Sequence, residues 1–67
     1  EVIQLEFPDS FANNVSGVTI LSVTGQKLKE WSNPIQFIFN IGELSSGSYI
    51  LRVVSGNDFV VHPFVKE

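Results

Sequence analysis

The stretch that decides the fold of this chain is ELSSGSYILRV, residues 43–53, in which a polar turn runs directly into an apolar strand. Gly47 stands immediately before the strand, where a Cβ would clash or force a strained turn. Beyond it, Tyr49, Leu51 and Val53 occupy alternate positions, which is the two-residue period of a strand with one buried face. This stretch therefore predicts a turn that depends on Gly47 and a strand that enters a core.

The same succession of short β-rich runs and turn signals continues along the whole chain. No window carries the apolar stripe of an amphipathic helix. Short strands with a turn about every 8–12 residues are typical of an antiparallel sandwich or barrel. We therefore expect an all-β fold, a small Ig-like antiparallel β-sandwich of six or seven strands. The strands predicted with clear bounds are Val2–Phe7, Val18–Thr24, Lys27–Trp31, Ile35–Ile41, Ser48–Val54 and Phe59–Lys66.

Turn and core positions follow from these strands. Gly25 and Gln26 are expected to form a two-residue loop, which needs a residue that tolerates positive φ. Pro63 cannot donate a ladder hydrogen bond, so the last strand is expected at a sheet edge or with a bulge there. Two facing sheets are expected to bury six side chains between them: Ile35, Phe37, Phe39, Tyr49, Leu51 and Val53.

Composition limits the classes of function that this chain can have. Its 67 residues include seven acidic and four basic side chains, for a net charge of −3. Nucleic-acid binding requires a cationic surface, so we expect no nucleic-acid partner. The chain has no Cys and a single His, which excludes a disulfide, a thiolate metal site and a His-based zinc cage. We therefore expect one small domain without a metal or a cofactor.

Residues that could suggest chemistry each have a simpler structural explanation. His62, Asp58 and the serines are the residue types of a catalytic triad, but no G-x-S-x-G elbow is present, so no catalytic residue and no enzyme are predicted. Asp9 and Asn57 match no calcium-loop spacing and are expected to be turn residues. Trp31 is expected in the core or at its rim, because an indole buries a large area.

Two motifs, taken in order, resemble the C-terminal sorting domain of type IX (Por) secretion cargo of Bacteroidetes. VTILSVTGQKL at 18–28 resembles the family's V-x-I-x-(N/D)-x-x-G-x-x-(V/L), with Ser22 where Asn or Asp is usual. LSSGSYILRV at 44–53 resembles its L-x-x-G-x-Y-x-(L/V)-x-V. The family often ends in K-(F/I)-(I/V)-K, and Phe64, Val65 and Lys66 stand at that place. The sequence departs from the family at His62, at Pro63 and at the final Glu67.

The resemblance implies a non-enzymatic secretion signal with an Ig-like fold. Such a domain directs a folded cargo from the periplasm through the type IX outer-membrane translocon to the cell surface, where sortase-like machinery commonly removes it. Residues 1–67 would then be a single C-terminal sorting domain, excised from a larger secreted protein. We expect the translocon to recognise the C-terminal hairpin, with Gly25 and Gly47 as turn residues. The expected recognition residues are Gly47, Tyr49, Phe64, Val65 and Lys66.

Two other functions remain open from the sequence alone. A structural Ig-like or fibronectin-like module would act as a spacer or adhesion unit of a surface protein and would be followed by more chain. A carbohydrate-binding module would use Trp31 to stack on a sugar ring. The small core and the free edge strand also predict a self-dimer formed through edge strands.

Overall fold

A computed structural model describes all 67 residues, Glu1–Glu67, as six strands and one short helix. Strands β3-β2-β5-β6 form a four-stranded sheet in that order, and β1 and β4 form a two-stranded sheet. Every pairing is antiparallel. The small all-β sandwich predicted from the sequence is thereby confirmed. The elements are β1 Val2–Gln4, α1 Asp9–Ala12, β2 Val15–Ser22, β3 Lys27–Ser32, β4 Ile38–Asn40, β5 Gly47–Ser55 and β6 Asp58–Lys66.

The core lies between the two sheets and is centred on β2 and β5. Their register places Val18 opposite Val53 and Ile20 opposite Leu51, and all four side chains are buried. Exposed or half-buried residues alternate with them, because successive side chains of a strand point to opposite faces. Phe39 contributes from the small sheet, so the predicted burial of Phe39, Leu51 and Val53 is confirmed. The buried apolar set is Val15, Val18, Ile20, Phe39, Ile41, Leu51 and Val53.

The prediction that Ile35 is buried is wrong, because its side chain is 96% exposed. Asn33 adopts a positive φ of 47° and Pro34 follows it, so the chain is still bending at Ile35 and becomes a strand only at Ile38. Phe37, two residues further on, is half-buried and packs edge-on against Phe7, with ring centroids 5.5 Å apart. The apolar alternation of this segment is therefore real, but it begins after the bend.

A single helical turn, α1, lies where the sequence predicted only a loop. The carbonyl of Pro8 accepts hydrogen bonds from the N–H groups of Phe11 and Ala12, and Pro8 has the φ of −56° that suits a helix start. The Ser55 hydroxyl donates to the carbonyl of Phe11 at 2.7 Å, which ties the turn to the end of β5. One turn is too short to show a helical period in the sequence. With four residues, α1 is not a candidate for a membrane-spanning helix.

The hairpin loop between β2 and β3 begins two positions earlier and ends one position earlier than the expected Gly25–Gln26 loop. The N–H of Gly25 donates to the carbonyl of Ser22 at 2.9 Å, and the N–H of Ser22 donates to the carbonyl of Gln26 at 2.8 Å. Gly25 has a φ of 92°. The arrangement is a three-residue hairpin loop, 23–25, in which the last residue needs positive φ.

Candidate functional site

The C-terminal hairpin, formed by β5 and β6 from Gly47 to Lys66, is called the terminal ribbon below. It is closed by the two residues Gly56 and Asn57, and Gly56 has a φ of 58°, as a type II′ turn requires of its first residue. β6 is the edge strand of its sheet, which confirms the position predicted from Pro63. The ribbon therefore ends in a strand with one unpaired side.

All five residues predicted for recognition lie at one end of this ribbon. Gly47 pairs with Lys66, Ser48 pairs with Val65, and Tyr49 pairs with Phe64. The ribbon end is defined by these three pairs. The register brings the five residues together because the two-residue turn far from them sets which residues of β5 and β6 are opposite.

Two aromatic rings cover the inner face of the ribbon end. The rings of Tyr49 and Phe64 are stacked, with centroids 5.6 Å apart and planes 29° from parallel, and both pack against the buried core. The Tyr49 hydroxyl donates a hydrogen bond to the carbonyl of Ser45, in the loop that precedes β5. Such stacked pairs stabilise beyond the area they bury. The two rings thus hold the strands of the ribbon and this loop in one arrangement.

Lys66 fastens the last strand to the same loop. Its Nζ donates to the carbonyl of Gly42 at 3.3 Å and to the carbonyl of Leu44 at 2.5 Å. Hydrogen bonds from a charged donor are stronger than those between neutral groups. Leu44 packs against the core, so these bonds connect the end of β6 to a well-held part of the loop. The charge of Lys66 is therefore engaged within the domain.

Gly47 is required by its backbone and not by lack of space. It begins β5 with a φ of 153°, a conformation that residues with a Cβ rarely adopt. A Cβ built at Gly47 would meet no atom within 4 Å, so the clash considered for this position is absent.

The outer face of β6 is exposed and apolar. Phe59, Val61 and Val65 are 58%, 53% and 69% exposed, and the Arg52 guanidinium lies 5.0 Å from the centroid of the Phe59 ring. Exposed apolar patches of this kind mark interaction sites. Of these three, the sequence prediction named only Val65. The sequence signal for this face was the run Phe59-Val60-Val61. All three residues are apolar, whereas a half-exposed strand alternates between apolar and polar residues.

The free edge of β6 is interrupted at its middle. Because Ser55 and Asp58 flank a two-residue turn, they form the pair that exchanges two hydrogen bonds, and the pairing alternates from there. The odd-numbered residues from Phe59 to Val65 therefore direct their backbone groups to the open side. Pro63 is one of them and has no N–H. An added strand would find donors on both sides of Pro63 but none at it.

The remaining candidate residues form no second site. Trp31 is half-buried against Phe39, with ring centroids 4.7 Å apart, in agreement with the predicted place at the core rim. Asp58 and His62 share the inner face of β6 but are four residues apart, which is about 13 Å along a strand. No group of three His, Cys, Asp or Glu side chains is placed to hold a metal ion.

Comparison with known protein families agrees with the two motifs and with the fold. The family described as the secretion system C-terminal sorting domain matches this chain over residues 1–67. No curated protein and no solved structure matches it. The family consists of sorting signals and not of catalysts, and the match favours this function over that of a spacer or adhesion module. The chain therefore belongs to the secretion system C-terminal sorting domain family, and it is a C-terminal sorting signal for type IX secretion.

Proposed function

We propose that the type IX translocon recognises this chain at the ribbon end and along the outer face of β6. The observation that carries the proposal is that β6, an edge strand, exposes Phe59, Val61 and Val65 on one face. A sorting signal acts by being bound, and an edge strand with an apolar face is suited to binding another protein.

The residues of the ribbon end have different parts in this proposal. Val65 contacts the translocon directly, because it is the most exposed apolar residue of β6. Tyr49 and Phe64 hold the strands in register through their stacked rings. Lys66 positions the end of β6 by binding loop carbonyls, and Gly47 allows the loop to enter β5.

Strand addition is the mode of binding that this edge supports. Main-chain hydrogen bonds to β6 supply affinity with little demand on sequence, and the apolar face supplies selectivity. A translocon that serves many unrelated cargo proteins needs such a combination. The N–H groups of Phe59, Val61 and Val65 are the donors that remain on the open side around Pro63.

Membership of the sorting-domain family supports export to the cell surface or secretion, with this chain as the sorting tail of a cargo protein. In the proposal, residues 1–67 form one domain at the C-terminal end of a larger cargo. The domain passes through the periplasm, and sortase-like surface machinery acts on the cargo after translocation. The domain itself catalyses no reaction.

The proposal includes a weak self-association through edge strands. Two copies that pair through β6 would bury the outer residues Phe59 and Val61 of each copy beside the other. Pro63 removes a donor from each copy, so the pairing has fewer hydrogen bonds than its length allows. Self-association of this kind is expected only at high protein concentration.

The proposal is tested by export of a reporter in a host with type IX secretion. The chain is fused to the C-terminal end of a periplasmic reporter, and Val65→Glu is compared with Val23→Glu. Val23 is a matched control because it is 66% exposed, against 69% for Val65, and lies in the hairpin loop between β2 and β3. We expect the Val65 variant to remain in the periplasm and the Val23 variant to reach the surface.

Two results would contradict the proposal. One is equal surface delivery of the Val65 and Val23 variants, both shown by circular dichroism to be folded. The other is surface delivery that survives deletion of Phe64–Glu67, because the deletion removes the end of β6.

A further inference from the structure

The sandwich is open along one side, between β1 of the small sheet and β6 of the large sheet. The gap is an apolar groove of about 530 Å³, called the open groove below. Its floor is formed by the buried core residues Ile41, Leu51 and Val53. These three side chains are at most 4% exposed, so the surface that an extended chain with apolar side chains can cover lies on the walls. The walls are formed by Ile3, Leu5, Phe7, Val60 and Phe64.

The β1 edge of the open groove has unpaired backbone groups at regular intervals. The N–H of Ile41 donates to the carbonyl of Glu1 at 2.9 Å, and the N–H of Leu5 donates to the carbonyl of Phe37 at 2.8 Å. The backbone N–H and C=O groups of the odd-numbered residues in this segment therefore point toward β4. The even-numbered residues within Val2–Glu6 direct their N–H and C=O groups to the open side, because the pattern of an antiparallel ladder alternates.

The two edges that border the open groove are unequal. β1 and the two residues that follow it offer three successive outward positions, Val2, Gln4 and Glu6, and none of them is proline. β6 offers a series that Pro63 interrupts. An incoming strand that needs donors along its whole length therefore pairs better with β1 than with β6.

The charge of the open groove limits the kind of strand that it accepts. Glu1 and Glu6 line it, and no Lys or Arg does. The side chains of Val2, Gln4 and Glu6 are all exposed, whereas the alternate side chains of Ile3, Leu5 and Phe7 pack against the core. A basic side chain on the outer face of an added strand would lie beside Glu6, where opposite charges on neighbouring strands attract.

We propose that the open groove binds an extended segment of a partner protein in which apolar and basic side chains alternate. The segment adds to the small sheet, with main-chain hydrogen bonds to Val2, Gln4 and Glu6. Its apolar side chains cover the partly exposed side chains of Val60 and Phe64, and its basic side chains face outward toward Glu6. The open groove meets the proposed translocon surface at Val61, Phe64 and Val65, but its main-chain partners belong to the β1 edge, so this proposal does not require the translocon to bind β6.

The test uses the 67-residue chain and a synthetic peptide, Lys-Val-Lys-Val-Lys-Val-Lys, with amide hydrogen exchange followed by NMR. At saturating peptide we expect the amides of Val2, Gln4 and Glu6 to exchange at least about tenfold more slowly, as new hydrogen bonds protect them. A peptide with Glu in place of each Lys is expected to bind about tenfold more weakly, because like charges then meet at Glu6.

Proline substitution distinguishes the two edges. Gln4→Pro removes an outward N–H of β1 without removing a bond to β4, and Phe59→Pro does the same for β6 with respect to β5. Phe59 does not line the open groove. We expect Gln4→Pro to weaken peptide binding about tenfold, which corresponds to 1.4 kcal/mol, and Phe59→Pro to leave it unchanged. Should Gln4→Pro not fold, a chemically synthesised chain with an N-methyl group on Gln4 removes the same donor.

Four outcomes would overturn the proposal. They are failure of the basic peptide to bind, equal binding of the acidic peptide, protection confined to Phe59, Val61 and Val65, and protection of the β1 amides without peptide. The last outcome would assign the groove to a second copy if it rises with protein concentration. It would assign the groove to the cargo's own chain if it appears only when residues are added before Glu1.

Discussion

The rings of Tyr49 and Phe64 stack across the terminal ribbon, with their centroids 5.6 Å apart. Tyr49 is the third residue of β5 and lies opposite Phe64 of β6, so this contact joins the two strands at the ribbon end. The Tyr49 hydroxyl extends the connection to Ser45. The arrangement of the ribbon end therefore depends largely on one side-chain pair.

The pair gives a first prediction, measured as coupling between two substitutions. Tyr49→Ala and Phe64→Ala are each expected to lower the free energy of unfolding by about 2 kcal/mol, because both side chains are half-buried. The double variant is expected to lose about 1 kcal/mol less than the sum, since a stacked pair can be lost only once. Urea unfolding of the four chains measures the coupling. Phe59→Ala, an exposed aromatic of the same strand, is the control, and strict additivity of Tyr49 and Phe64 would argue against the role of the stack.

Lys66 gives a second prediction, which distinguishes a lysine that stabilises the fold through hydrogen bonds from one that only adds surface charge. Lys66→Met keeps the apolar stem and removes the donors to Gly42 and Leu44, so we expect a loss of about 1 kcal/mol in the free energy of unfolding. Lys27→Met is the matched control. Its ion pair with Glu30 is 3.2 Å long and more than half exposed at the lysine, and such pairs contribute about 0–1 kcal/mol. Equal losses in the two variants, by urea unfolding, would show that the Lys66 contacts add nothing.

The strands were predictable from the sequence wherever buried and exposed positions alternate along the whole strand. Leu51 and Val53 were placed correctly because β5 is long and one of its faces is buried along most of its length. Ile35 was misplaced because the bend that starts at Asn33 continues through Phe37, so the alternation begins before the chain joins β4 at Ile38. Composition does not reveal where a bend interrupts an apolar pattern.

The sequence predicted which residues lie in the candidate site, but it did not predict which other residues they contact. A two-residue turn at Gly56 sets the register, and the register brings Gly47 opposite Lys66. The bond from Lys66 to Leu44 joins residues 22 positions apart and depends on how the loop before β5 folds. The open groove was not predicted either, because it arises from two strand edges that belong to different sheets.

Pro63 gives a third prediction, about self-association. Pro63→Val supplies an N–H to the middle of the free edge of β6, so two copies can pair there without interruption. We expect dimers of this variant at concentrations at which the parent chain is a monomer, by sedimentation velocity. His62→Val is the control, because it adds an apolar side chain while its backbone groups face β5. Dimers of His62→Val at the same concentrations would mean that hydrophobicity, and not the edge donor, drives the association.

Gly47 gives a fourth prediction, which separates backbone strain from steric crowding. The φ of 153° at Gly47 is unfavourable for any L-residue, although a Cβ there would meet no atom within 4 Å. Gly47→Ala is therefore expected to lower the free energy of unfolding by about 1–2 kcal/mol. Gly17→Ala is the matched control in a strand, because its φ is not positive and its Cβ would lie an ordinary 3.8 Å from the carbonyl oxygen of Trp31. D-alanine at position 47, introduced by chemical synthesis, favours positive φ and is expected to restore most of the stability, since it adds the same methyl group with the opposite conformational preference. A D-alanine chain as unstable as the L-alanine chain would show that the methyl group itself, and not the backbone conformation, is what β5 cannot accept at its first residue.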